Sequence, residues 1–177
     1  MRVEIFLDGS NFYNGLRQQF GKGQYDVGKL VNRILANRTL VRLNYYIGAI
    51  DPNRDANGAA AQGRFLRAVQ HLPFPVRLFT SPLRYLSTWP SVPPVEKGVD
   101  TKIVEDLIVG AFDQRYDVAI LLSGDQDFVE VVRLLHSRFP VQLETCFPMA
   151  RRHLHDATKV CFTAGQVITR AFYNAIQ

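Results

Sequence analysis

The 177-residue sequence predicts an α/β protein with a mainly parallel central sheet. Five apolar runs, VEIFL, LVRLNYYIGAI, PVRLF, VAILL and VQLETCF, have the length of buried strands. Several segments between them repeat their apolar residues at helical spacing instead. Strand and helix alternate, which implies parallel strands joined by right-handed helical crossovers. A composition of 47% hydrophobic, 21% charged and 11% aromatic residues suits one domain over residues 1–177 rather than a disordered or fibrous chain.

The elements follow in order. The first run stops at Asp8, and after Gly9-Ser10-Asn11 the residues Phe12, Leu16 and Phe20 recur at four-residue spacing, as on a helix. Leu30, Val31, Ile34 and Leu35 mark a second helix. A polar loop, DPNRDANGA, opens at Asp51, and Phe65, Ala68, Val69 and Leu72 mark the next helix. Residues 81–98, SPLRYLSTWPSVPPVEKG, form a long irregular stretch because prolines block regular structure. Its Arg84, Tyr85, Trp89 and Lys97 are suited to contacting a ligand. A helix is expected from about Val99, and another near Asp127 with the apolar stripe Phe128, Val131, Val132 and Leu135.

The net charge of +5 and pI of about 9.4 favour polyanionic partners without naming one. Cys146 and Cys161 stand alone, which indicates neither a disulfide framework nor a four-ligand zinc site. The first apolar run is far shorter than a signal-peptide core, and no stretch approaches the ~18 residues of a membrane span. A cytoplasmic protein without membrane partners is the expectation.

In an open parallel sheet, ligands bind beyond the carboxyl ends of the strands. Asp8 follows the first strand, and Gly124, Asp125 and Asp127 follow VAILLS. Asp127 has a structural reading as N-cap of its helix, with Glu130 completing a D-x-x-E capping box. One cap needs one carboxylate, however, and this turn has two. In the helix from Val99, Asp100 and Asp106 lie about 60° either side of Ile103, bordering its apolar stripe. Their structural reading pairs Lys102 with Asp106 and leaves Asp100 as a helix-start residue. Crowding Asp8, Asp100, Asp106, Asp125 and Asp127 at one sheet edge raises their pKa values unless a cation compensates. A hard divalent ion, Mg²⁺ or Mn²⁺, is the economical explanation. Such an ion orients water in line with a phosphodiester and neutralises developing charge.

Three segments in this order, FLDGSNFY, KGVDTKIVEDL and LLSGDQDFVEVV, resemble the signature segments of the NYN domain, the LabA-like branch of the PIN-like nuclease superfamily. LHDATKVCFTAG resembles the closing helix and short strand of that family. The resemblance implies a three-layer α/β/α sandwich and metal-dependent ribonuclease chemistry. It makes Asp8 the first-strand ligand, Asn11 its polar support, Asp100 and Asp106 the middle acids, and Asp125 with Asp127 the final pair. Ser123 joins Asn11 as a supporting residue. Glu130 departs from the small or proline residue of many relatives.

The activity so implied is endoribonucleolytic hydrolysis of single-stranded or structured RNA, with Asp8, Asp100, Asp125 and Asp127 nearest the metal. The competing class is a non-catalytic RNA-binding or regulatory module that keeps the fold and uses the acids for capping and a structural ion. Nothing in the sequence reads a 2′-hydroxyl, so DNA stays open beside RNA, as does a homodimer. RNA contacts are expected from Arg84, Tyr85, Trp89, Lys97, Lys102, Arg151 and Arg152. Trp89 has an alternative reading as a plug that fixes its loop to the body. His153 and His155, at i, i+2, do not share a helical face and are read as surface residues. A haloacid-dehalogenase phosphatase needs a second acid where Ser10 stands, and no G-x-G-x-x-G or Walker A sequence occurs.

Overall fold

The computed structural model describes residues 1–149, 153–159 and 161–177, so Arg151 and Arg152 lie outside the described residues. The elements in chain order are β1 (Arg2–Asp8), α1 (Gly9–Phe20), α2 (Val27–Leu35), β2 (Thr39–Ala49), α3 (Ala56–Gln70), β3 (Val76–Pro82), α4 (Val99–Phe112), β4 (Val118–Leu122), a 3₁₀ turn (Gln126–Phe128), α5 (Val129–Arg138), β5 (Gln142–Pro148), α6 (His153–Thr158), β6 (Ala164–Ile168) and α7 (Arg170–Ala175). The strands form one six-stranded sheet in the order β3-β2-β1-β4-β5-β6, and each neighbouring pair is parallel.

Side chains alternate across a strand, so β1 serves two cores. Val3, Ile5 and Leu7 face a cluster built with Phe12, Leu16, Leu30, Val31 and Ile34. Phe6 faces the opposite cluster, with Ile103, Leu107, Val131, Val132 and Leu135. Each such side chain contributes roughly 1.5–3 kcal/mol when fully buried. The sheet is thus covered on both faces, the three-layer α/β/α sandwich expected of a PIN-like fold. Glu4, which interrupts the first apolar run, is buried and offset by Arg42 at 3.4 Å, Arg115 at 3.5 Å and the Asn44 amide at 3.2 Å.

Three details differ from the sequence reading. The polar loop after Asp51 is shorter, because Asp55 accepts the Gly58 N–H at 2.8 Å and starts α3 within it. On α3, Ala68 is exposed, and Leu66 packs inward beside Phe65. The unforeseen α7 closes over α1 and α2: the Tyr173 hydroxyl donates to the Lys22 and Gln24 carbonyls, and the Ile176 carbonyl accepts the Asp26 N–H.

Because the strands run parallel, the helices that follow them all start at the carboxyl edge of the sheet. The strand order reverses between β1 and β4, the kind of position at which open parallel sheets bind their ligands. That edge gathers the end of β1, the start of α4 and the turn after β4. Among the described residues no helix is long and apolar enough to cross a membrane.

Candidate active site

Leu7 pairs with Leu122 in the sheet, so Asp8 and Ser123 are the next residues on adjacent strands. Asp8 is 3% exposed. One of its oxygens caps α1 by accepting the Asn11 N–H at 2.9 Å, and the other accepts the Ser123 hydroxyl at 3.2 Å. The Ser123 oxygen accepts the Asp125 N–H at 3.2 Å, and the Asn11 side-chain oxygen accepts the Gly124 N–H at 3.1 Å. Asn11 and Ser123 therefore lace β1 to the turn that carries Asp125 and Asp127.

Burial pushes the Asp8 carboxyl up to about 7; the Asn11 N–H opposes this, while the charges of Glu96 and Asp100 reinforce it. Asp100, in the first turn of α4, is also raised, by burial first and then by Asp125, Glu96 and Asp127. Among the described residues no Lys, Arg or His forms an ion pair with Asp8, Glu96, Asp100, Asp125 or Asp127. The structure thus couples four of the predicted acids, plus Glu96, without a compensating cation.

Asp106 lies elsewhere. Six residues at 1.5 Å rise put it about 9 Å farther along α4 than Asp100, under the sheet rather than at its edge. There it accepts the Tyr46 hydroxyl at 2.9 Å and pairs with Arg77 at 2.9 Å and Lys102 at 3.2 Å. Burial pushes its pKa up, but these three partners outweigh burial and hold the carboxyl below its ordinary value. The i, i+4 pairing of Lys102 with Asp106 forms, beside an i, i+3 pair with Glu105 at 2.8 Å.

A model of the NYN domain matches residues 2–164. The chain belongs to the NYN domain family. NYN domains are generally nucleases, of the PIN-like superfamily, and usually use divalent metals. Among solved structures, this NYN domain is similar to the crystal structure of a protein of unknown function from Vibrio parahaemolyticus RIMD 2210633. The two share 22% identity over 97% of this chain and 94% of that one, with a TM-score of 0.71, a likeness of fold. A search of curated proteins gave no match.

In this NYN domain the capping box at Asp127 does not form. Asp125 accepts the Asp127 N–H at 3.1 Å and caps the 3₁₀ turn, Asp127 lies inside that turn, and Glu130 pairs with Arg133 at 3.0 Å. The interposed turn shifts the start of α5 to Val129. Of the expected RNA-contacting residues, Arg84 and Lys97 are exposed on the loop before α4, where an antiparallel bridge joins Arg84 to Val95. Tyr85 and Trp89 meet edge to face at 5.0 Å, and the Tyr85 hydroxyl accepts the Asp51 N–H at 3.3 Å. Lys102 is held by Glu105 and Asp106. His153 is exposed, but His155 is not a surface residue in chemical terms: its ring packs between Phe147 and Phe162, at 5.5 Å and 5.9 Å.

Glu96 escaped the sequence reading. It sits at the end of the proline-rich loop, where it accepts the Ser10 hydroxyl at 2.8 Å and the Gly48 N–H. Its position four residues before Asp100 was the available clue, masked because a loop carries no periodicity. Among the described residues, no three His, Cys, Asp or Glu side chains stand close enough to hold a metal ion as the chain lies. Their chemistry nonetheless fits a hard cation: the donors are all carboxylate oxygens, mutually repelling and uncompensated.

Proposed function

We propose that this NYN domain is a divalent-metal-dependent endoribonuclease that hydrolyses phosphodiester bonds in single-stranded or structured RNA. The observation that carries the reading is the buried Asp8 carboxyl, pushed to about 7 beside Glu96 and Asp100 with no cation paired to it. Asp8, Asp100, Asp125 and Asp127 would hold Mg²⁺ or Mn²⁺. When bound, the ion supplies charge neutralisation at the phosphate and lowers the pKa of a water nucleophile. The chain's own contribution is to fix the acids. The Asn11 N–H and Ser123 hydroxyl orient both Asp8 oxygens, and the Asn11 side chain anchors the turn bearing Asp125 and Asp127. Exposed Arg84 and Lys97 stand ready for the strand's phosphates, as Arg151 and Arg152 are expected to.

A second reading, a non-catalytic RNA-binding module, draws on the caps: Asp8 and Asp125 each satisfy a backbone N–H. Incubating labelled RNA with purified protein and Mn²⁺ or Mg²⁺, beside Asp8→Asn, separates the two. Ion-dependent cleavage that disappears in the variant is expected. Equal cleavage by both proteins would mean a contaminant and would overturn the enzyme reading. The same strand as DNA tests the sugar preference.

A further inference from the structure

A cavity of about 530 Å³ opens beside the acid cluster, between α1, β2 and α3. Its size falls within the ~300–1,000 Å³ of small-ligand sites. Tyr13, Tyr25, Tyr45 and Phe65 supply an aromatic lining. Phe65 packs edge-on to Tyr45 at 5.8 Å and to Tyr25 at 6.5 Å. Two glycines let the rings lie against backbone: a Cβ on Gly9 would meet the Tyr45 hydroxyl at 2.7 Å, and one on Gly23 would meet the Tyr13 ring at 2.5 Å. Tyr13 remains 38% exposed at the rim.

The lining also has a polar feature. The Tyr25 and Tyr45 hydroxyls lie 3.1 Å apart and share one hydrogen bond. Whichever donates, the other proton finds no acceptor among the described residues. Burial raises both hydroxyls, so both protons stay on at neutral pH. A purely aliphatic occupant would leave that proton unpaired, whereas a flat ring with acceptor atoms on its edge would use it. The cavity also adjoins the acids: Gly9 follows Asp8, and Ser10 in the cavity wall donates to Glu96.

We infer that this cavity receives one unpaired nucleobase of the RNA strand, seated between aromatic rings next to the phosphodiester at the acid cluster. The inference rests on the nuclease reading above. Unpaired bases are the ones a protein can stack and read at their edges, and a duplex hides them.

Ala61 lines the cavity from an exposed position on α3, so Ala61→Trp fills the space without removing core packing. Tyr13→Ala removes the rim ring. Affinity for a fluorescent single-stranded RNA of ~12 nucleotides, read by anisotropy in chelator, should fall about tenfold in each variant. A single abasic position in the strand should weaken wild type at one site and leave Ala61→Trp indifferent. Wild-type affinity in both variants, with native melting, overturns the inference, as does a blunt RNA duplex that competes as well as the single strand. If Ala61→Trp melts early, Tyr13→Ala carries the test alone. Cleavage by wild type with unchanged affinity in the variants sinks the base pocket only. Loss of affinity in the variants without any metal-dependent cleavage by wild type sinks the nuclease reading only.

Discussion

Asp8 and Asp106 are both buried carboxylates, and their surroundings push them in opposite directions. Asp8 rises from 3.8 to about 7, so between those values the folded state holds more protons than the unfolded one. Its stabilising contribution is complete below about pH 4 and lost as pH rises towards 7, on the order of 4 kcal/mol. In chelator, the melting temperature of wild type should therefore fall over that window more than that of Asp8→Asn, because asparagine keeps the cap but not the charge. Equal slopes would show that Asp8 is not strained. Asp106 carries the opposite sign: its stabilisation is present above its ordinary pKa and lost as pH falls through the depressed one. Asp106→Asn should cost about 1–3 kcal/mol in urea unfolding at neutral pH, narrowing in acid, with RNA cleavage almost unchanged. A large loss of cleavage without loss of stability would return Asp106 to the metal site. The sequence showed both α4 acids beside the apolar stripe, but not the axial rise that separates them or the Tyr46 and Arg77 that meet one of them.

At the scale of elements, the turn after β4 divides structural from chemical roles. Asp125 caps the 3₁₀ turn while the Asp127 side chain satisfies no backbone N–H there. Asp125→Ala should cost about 1 kcal/mol and Asp127→Ala within ~0.5 kcal/mol, by thermal melting, although both should abolish cleavage. Equal destabilisation by the two would restore the capping box at Asp127. That box was the natural reading of D-x-x-E, because a single 3₁₀ turn leaves no trace in apolar periodicity. On the loop before α4, Trp89→Ala should weaken RNA binding several-fold with little change in melting temperature, since Trp89 is half-buried and packs on Tyr85 rather than in either core. A large drop in stability with unchanged affinity would make it a plug.

Across the whole molecule, strand and helix alternation was legible because buried parallel strands read as apolar runs, and the edge where Asp8, Asp100 and Asp125 gather followed from topology alone. Glu96, α7 and the aromatic cavity were not legible. Glu96 joins the acids through a loop, α7 spans six residues, too few to repeat an apolar stripe, and the cavity depends on Gly9 and Gly23 lying against rings from other parts of the fold. The proposed nuclease requires the acids at that edge to form one site for a divalent ion. An ion that binds only the folded protein stabilises it by ~2.7 kcal/mol at a hundredfold excess over its dissociation constant. Melting curves of wild type and Asp100→Asn, each in chelator and in millimolar Mn²⁺, test the claim directly. A clear rise is expected for wild type with Mn²⁺, and for Asp100→Asn a higher melting temperature in chelator with a smaller rise. A wild type that melts at the same temperature with and without Mn²⁺ would contradict it.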